Sequence, residues 1–135
     1  MKTAAKVFLI LNAVAFMFIG INTTLDPGAA MAALDLSPRT VTASNEIRSI
    51  YGGMHFSFGA MMLAGALLPA LTRHALWFCA AFLGGLVAGR VSSLLLDGQP
   101  NDLANFLLVF ETAALLLALI LQHTVRGVPK RGAFA

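Results

Sequence analysis

Seven residues carry most of the chemistry open to this sequence: Glu46, Arg48, Tyr51, His55, Arg90, Asp97 and Glu111. The first four fall within about three helical turns of one another in NEIRSIYGGMHFSFG, residues 45–59. A carboxylate and an imidazole at one depth can pass a proton, and a neutral imidazole is a good axial ligand for haem or chlorin, a role open to His55, His74 and His123. A guanidinium does neither; it stays charged and binds a carboxylate or another anion. Each residue also has a plainer role. Glu46 and Arg48 suit a solvated helix start, Tyr51 an interfacial anchor, and His55 a hydrogen-bonded interior position.

The elements that must position these groups are set by composition. The 135 residues are 59% hydrophobic and 11% charged with mean hydropathy +0.83, far from the roughly 25% charged residues of a soluble domain. Apolar stretches at 6–24, 46–71, 74–96 and 103–123 each approach or exceed the roughly 20 residues that cross a hydrocarbon core. The fold expected is therefore all-α, an integral membrane four-helix bundle forming one domain over 1–135. Between the first two helices, Asp26 as a cap, Pro27 at the first helical position, Met31 and Leu34 one turn apart, and Ser37 with Pro38 as a stop predict a short interfacial helix over 27–36, lying on the outer membrane surface or lidding the bundle. In DGQPND, Asn101 or Asp102 caps the fourth helix. Lys2 and Lys6 before an apolar run, with AAMAA further on, also imitate a cleaved secretory signal, but the run is long enough to span. Cys79 is the sole cysteine and reads as a small buried hydrophobe.

Charge orients the bundle. Lys2, Lys6, Arg73, Arg126, Lys130 and Arg131 mark one side, whereas Asp26, Asp35, Asp97 and Asp102 against Arg39 mark the other. The positive-inside rule then puts both termini of a multi-pass membrane protein in the cytoplasm. The net charge of +3 is a topology signal, and no nucleic-acid partner is expected. The basic tail VPKRGAFA reads as a stop-transfer flank that also meets anionic lipid.

Depth follows from helix rise. His55 lies roughly 13 to 15 Å below the outer face, Arg90 about 9 Å and Glu111 about 12 Å, so three helices bring ionisable groups to one layer. Arg48, Tyr51, Gly52, His55 and Gly59 form a stripe expected to face inward. On the third helix Ala81, Gly85 and Gly89 form a ladder of small residues expected to admit a neighbouring backbone. Glu111 stands alone among LLVFETAALLL and needs a partner or a proton, and Arg90 is its natural ion-pair partner. The pair reads as a structural clamp or as a ligand site. Asn12, Asn22, Thr23 and Thr24 on the first helix extend the polar layer or join helices through hydrogen bonds.

NEIRSIYGG opening the second helix, AGRVSSLLLDGQP closing the third and the lone Glu of the fourth resemble an uncharacterised bacterial family of small four-helix membrane proteins, broadly DoxX-like. The resemblance covers most of residues 5–125. Its recurring polar positions map onto Glu46, Arg48, Tyr51, Gly52, Gly53, Gly89, Arg90, Asp97, Gly98 and Glu111. It implies a four-helix bundle in a bacterial inner membrane, with a charged signature near the outer leaflet, and supplies no activity. Some DoxX-like relatives are associated with quinone-linked sulfur oxidation, but this chain lacks the cysteine pairs a redox relay needs.

Three function classes follow. First comes a non-catalytic accessory subunit or assembly factor, whose partners would be the lipid bilayer, other membrane subunits or a second copy of itself. Second is a binding module for a quinone, lipid or pigment, with Arg90, Glu111, His55 and Tyr51 as its polar end. Third is a proton-transferring enzyme or transporter using Glu111 and His55. No catalytic residue, metal ligand or resident cofactor is assigned, with quinone, haem and chlorin as the alternatives.

Overall fold

A computed structural model describes residues 2–125, which are helical apart from short connections and contain no strand. Arg126, Lys130 and Arg131, and with them the expected basic tail, lie outside the described residues. The elements are α1 (Lys2–Leu25), α2 (Pro27–Ala32), α3 (Val41–Ile47), a π-helical segment (Arg48–Met54), α4 (His55–Leu67), α5 (Thr72–Leu96) and α6 (Asp102–Thr124). α3, the π segment and α4 run on as one span, Val41–Leu67. With α1, α5 and α6 this makes four helices, among the described residues, long and apolar enough to cross a bilayer. The chain is a multi-pass membrane protein.

Local chemistry explains where the ends fall. The second span begins at Val41, five residues before Glu46, because Thr40 caps it: its side chain accepts from the Ala43 amide at 3.0 Å. It closes at Leu67 rather than Leu71, since Leu68 precedes Pro69 and takes an extended backbone. α5 starts at Thr72, two residues before His74, with Thr72 Oγ1 donating to the Gly65 carbonyl at 2.8 Å. α2 has the expected Asp26 cap, accepting from the Ala29 amide at 3.0 Å, and Pro27 at its start. It is shorter than 27–36. The amides of Leu34 and Leu36 both turn back to the Met31 carbonyl, and Asp35 adopts φ 59°, so the helix ends well before Pro38. Asn101 caps α6, accepting from the Ala104 amide at 3.0 Å, and Asp102 occupies the first turn.

Each helix packs on the next: α1 along α4 and the π segment, α4 on α5, and α5 on α6, while α1 and α6 meet over a short stretch only. Bare glycines set the α1–α4 distance. A Cβ at Gly20 would lie 2.6 to 2.9 Å from the backbone of Phe56 and Gly52, and one at Gly59 would lie 2.8 Å from the Ala13 carbonyl. A Cβ at Gly65 would collide with the Ala75 methyl on α5. The core gathers Leu9, Met62, Leu76, Cys79 and Leu83, all at or below 2% exposure. The outer surface is hydrocarbon, with Leu11, Val14, Phe18, Phe106, Val109 and Ile120 each more than half exposed. In water such a surface would drive aggregation; against lipid it is the expected exterior.

The ladder Ala81, Gly85 and Gly89 does not face a neighbouring helix. All three residues are exposed, and a Cβ at Gly85 or Gly89 would meet nothing within 4 Å. The inward face of α5 is instead Leu76, Cys79, Ala80 and Leu83. In lipid the inside of a bundle is no more apolar than the outside, so small-residue spacing on a helix without polar contrast does not identify its buried face.

Candidate functional site

The helices part at the end of the bundle that carries α2, and the space between them is a chamber of about 350 Å³. Leu11, Ala15 and Ile19 of α1 face Leu103, Leu107 and Phe110 of α6 across it, and Ala30, Met31 and Leu34 of the α2 region cover it. Met31 is buried at 3% exposure, so the cover is packed in place. The lid is also tied across the bundle: Asn101 Nδ2 donates to the Asp35 carboxylate at 2.7 Å and to the Ala33 carbonyl at 3.2 Å. Asn101 therefore caps α6 with its oxygen and holds the lid with its nitrogen.

Almost everything that lines this space is apolar. The exceptions are Asn12, Tyr51, His55, Arg90 and Glu111. Arg90 grips Glu111 with two parallel hydrogen bonds, Nε to Oε2 at 2.7 Å and Nη2 to Oε1 at 3.0 Å. This fork geometry fixes both side chains. Glu111 is buried and Arg90 half-buried.

The π segment delivers the other two groups. A π turn holds more residues than an α turn, and such bulges are frequent at functional sites. Here the bulge puts the Ile50 carbonyl 3.2 Å from His55 Nδ1, so a nitrogen that would otherwise be unmet donates to backbone. The His55 ring is held among Tyr51, stacked at 5.8 Å and 20°, Phe16 at 5.6 Å and Phe82 edge-on at 5.8 Å. Gly52, buried beneath Thr24, lets the segment lie against α1.

The structure thus brings together Tyr51, His55, Arg90 and Glu111, and leaves out Glu46, Arg48 and Asp97. Glu46 is exposed and makes no side-chain hydrogen bond among the described residues. Arg48 leaves the expected inward stripe; its Nε donates to the Thr24 carbonyl at 3.0 Å and so caps the C-terminal end of α1, where the helix dipole favours a cation. Asp97 accepts from Ser93 Oγ at 2.9 Å at the end of α5. His74 and His123 are exposed and do not line the chamber. Asn12 lines the chamber while its amide donates to the Phe8 carbonyl at 2.9 Å; Asn22 and Thr24 likewise turn back onto their own helix. Of the lid residues, Met31 and Leu34 were legible in the sequence as the apolar face of a short helix begun by Asp26 and Pro27, whereas the Ile50 carbonyl and Leu86 were not singled out.

Among the described residues no three of His, Cys, Asp and Glu converge on a point that could hold a metal ion. The arrangement is suited to holding an apolar body with one polar end. Comparison with known proteins gives one result. Residues 4–122 match the family model described as Domain of unknown function (DUF4345). No curated protein and no solved structure shows a significant match. A single model thus takes in α1 through most of α6 and every residue that lines the chamber, and the chain belongs to the DUF4345 family.

Proposed function

We propose that this protein binds a lipophilic molecule inside the membrane, its apolar body in the chamber and its polar end against Tyr51, His55, Arg90 and Glu111. The observation that carries the reading is the chamber: about 350 Å³ of apolar-walled space with a few convergent polar groups, within the roughly 300–1,000 Å³ typical of small-molecule sites. The side between α1 and α6 offers entry from the lipid, since these helices hold to each other over a short stretch only. In the orientation argued from charge, the site lies in the outer half of a bacterial inner membrane, with both termini cytoplasmic.

This reading moves ahead of the accessory-subunit role. That role keeps one specific support, the outward small-residue face of Ala81, Gly85 and Gly89. Proton transfer through Glu111 falls behind both, because Arg90 occupies both carboxylate oxygens. Haem or chlorin ligation at His55 is left out, since Phe16, Tyr51 and Phe82 already surround the imidazole. A quinone remains within the lipophilic class, with the DoxX-like resemblance as fold-level analogy only.

The test is native mass spectrometry and solvent extraction of the protein purified in mild detergent. Wild type should carry a small apolar molecule that is lost when Leu86→Trp fills the chamber, with the melting temperature reporting that the variant folds. A wild-type protein without bound molecule, purified instead in fixed ratio with larger subunits, overturns the reading in favour of the accessory role.

A further inference from the structure

We infer that the chamber selects a neutral amphiphile whose head is a hydroxyl group. The inference rests on the binding function proposed above and adds the chemistry of the head. Among the described residues Arg90 and Glu111 are the only charged ones that line the chamber, and each neutralises the other. A carboxylate or phosphate head would meet the free edge of a guanidinium whose charge Glu111 already balances, and an ammonium head a carboxylate that Arg90 already balances. Neither head gains an unmatched counter-charge. A charged head therefore arrives with its own desolvation unmet.

The unmet hydrogen-bonding positions include both an acceptor and donors. His55 Nδ1 faces a carbonyl, which only accepts, so Nδ1 carries the hydrogen. In the neutral ring Nε2 is then an acceptor, and it has no partner among the described residues. The Tyr51 hydroxyl likewise has none, and Arg90 Nη1 makes no hydrogen bond to the described residues. The chamber offers an acceptor on His55 beside donors on Tyr51 and Arg90. A hydroxyl is the smallest head that answers both kinds, giving its hydrogen to one and accepting from another. A ketone or ester head accepts only and leaves Nε2 unmet.

Three probes with one chain and different heads decide the matter: dodecan-1-ol, dodecanoate and dodecyltrimethylammonium, added to the protein in phosphatidylcholine nanodiscs while its thermal unfolding is followed. Dodecan-1-ol should raise the melting temperature saturably, and the two ions should not. His55→Leu and Tyr51→Phe should each weaken the apparent affinity about tenfold, the scale of one buried hydrogen bond, while His55→Gln, which keeps an acceptor, should retain more of it. If the variants fail to fold, the ranking of the three heads on wild type decides alone. Dodecanoate or dodecyltrimethylammonium binding as tightly as the alcohol overturns the hydroxyl assignment and leaves the chamber as a binding site. An alcohol response that neither saturates nor changes in Leu86→Trp is partition into lipid, and also overturns it. No response to any head, together with no co-purified molecule, removes the binding function itself.

Discussion

Arg90 and Glu111 are unequal partners, because a guanidinium cannot readily release its proton whereas a carboxylate can take one up. Glu111→Ala strands a cation against an apolar wall and should cost about 3 to 5 kcal/mol, by analogy with broken buried pairs in soluble proteins. Arg90→Ala should cost less, since Glu111 can protonate. Arg90→Met combined with Glu111→Met should recover most of the loss, measured as thermal stability in detergent. Equal losses in the single variants without recovery in the double would show that the two residues are held by separate partners. A stable double variant that no longer retains a bound molecule would show the pair acting as part of the site. Arg48 illustrates the limit of reading residues singly. Its spacing from Tyr51 and His55 suggests the same inward stripe, yet its guanidinium reaches a backbone carbonyl on another helix.

At the scale of elements, two glycine sets look alike in sequence and differ in what surrounds them. Gly20→Ala puts a methyl into the backbone of Phe56 and Gly52, which cannot yield as a side chain would, so α1 and α4 must separate. Gly85→Ala meets open space and gains helix propensity of about 1 kcal/mol. Thermal melts should show Gly20→Ala clearly destabilised and Gly85→Ala neutral or slightly stabilised; a destabilised Gly85→Ala would reveal a partner seated on that face. The lid gives a second contrast. Asn101→Asp keeps an oxygen to cap α6 but sets a carboxylate against Asp35, so it should loosen the lid with little effect on α6. Hydrogen exchange over Pro27–Ala32 should rise while exchange in α6 stays near wild type; equal exchange in the lid would show that Met31 packing alone holds it.

At the scale of the whole molecule, the distribution of charge bears on which end faces the cytoplasm. The Asn101–Asp35 bond joins the α1–α3 connection and the α5–α6 turn at one end, which carries Asp26, Asp35, Glu46, Asp97 and Asp102 beside Arg39 and Arg48. Lys6 near the start of α1 and Arg73 in the first turn of α5 mark the opposite end. By the positive-inside rule a reporter fused to the C-terminal end should register in the cytoplasm, and one inserted beside Asp35 on the outer side. The reverse pattern would move the chamber to the inner half of the membrane and change the leaflet from which it fills.

The sequence by itself determined the class: hydropathy over runs of about 20 residues is additive along the chain, so four spans and an all-helical membrane protein follow without any contact being known. It also determined the local stops and starts that one or two side chains can dictate, such as Asp26 with Pro27 and the cap at Asn101. The Thr40 cap is a one-residue signal of the same kind that was not singled out from the sequence. Tertiary structure alone decided which faces turn inward, because lipid and bundle interior are equally apolar and periodicity carries no sign for inside. It decided the π segment, whose wider turn shifts the phase that a regular helix would give to Arg48, Tyr51 and His55. It decided the chamber as well, since a void is a property of how four helices and a lid diverge in space, and no residue or spacing along the chain records the distance between α1 and α6.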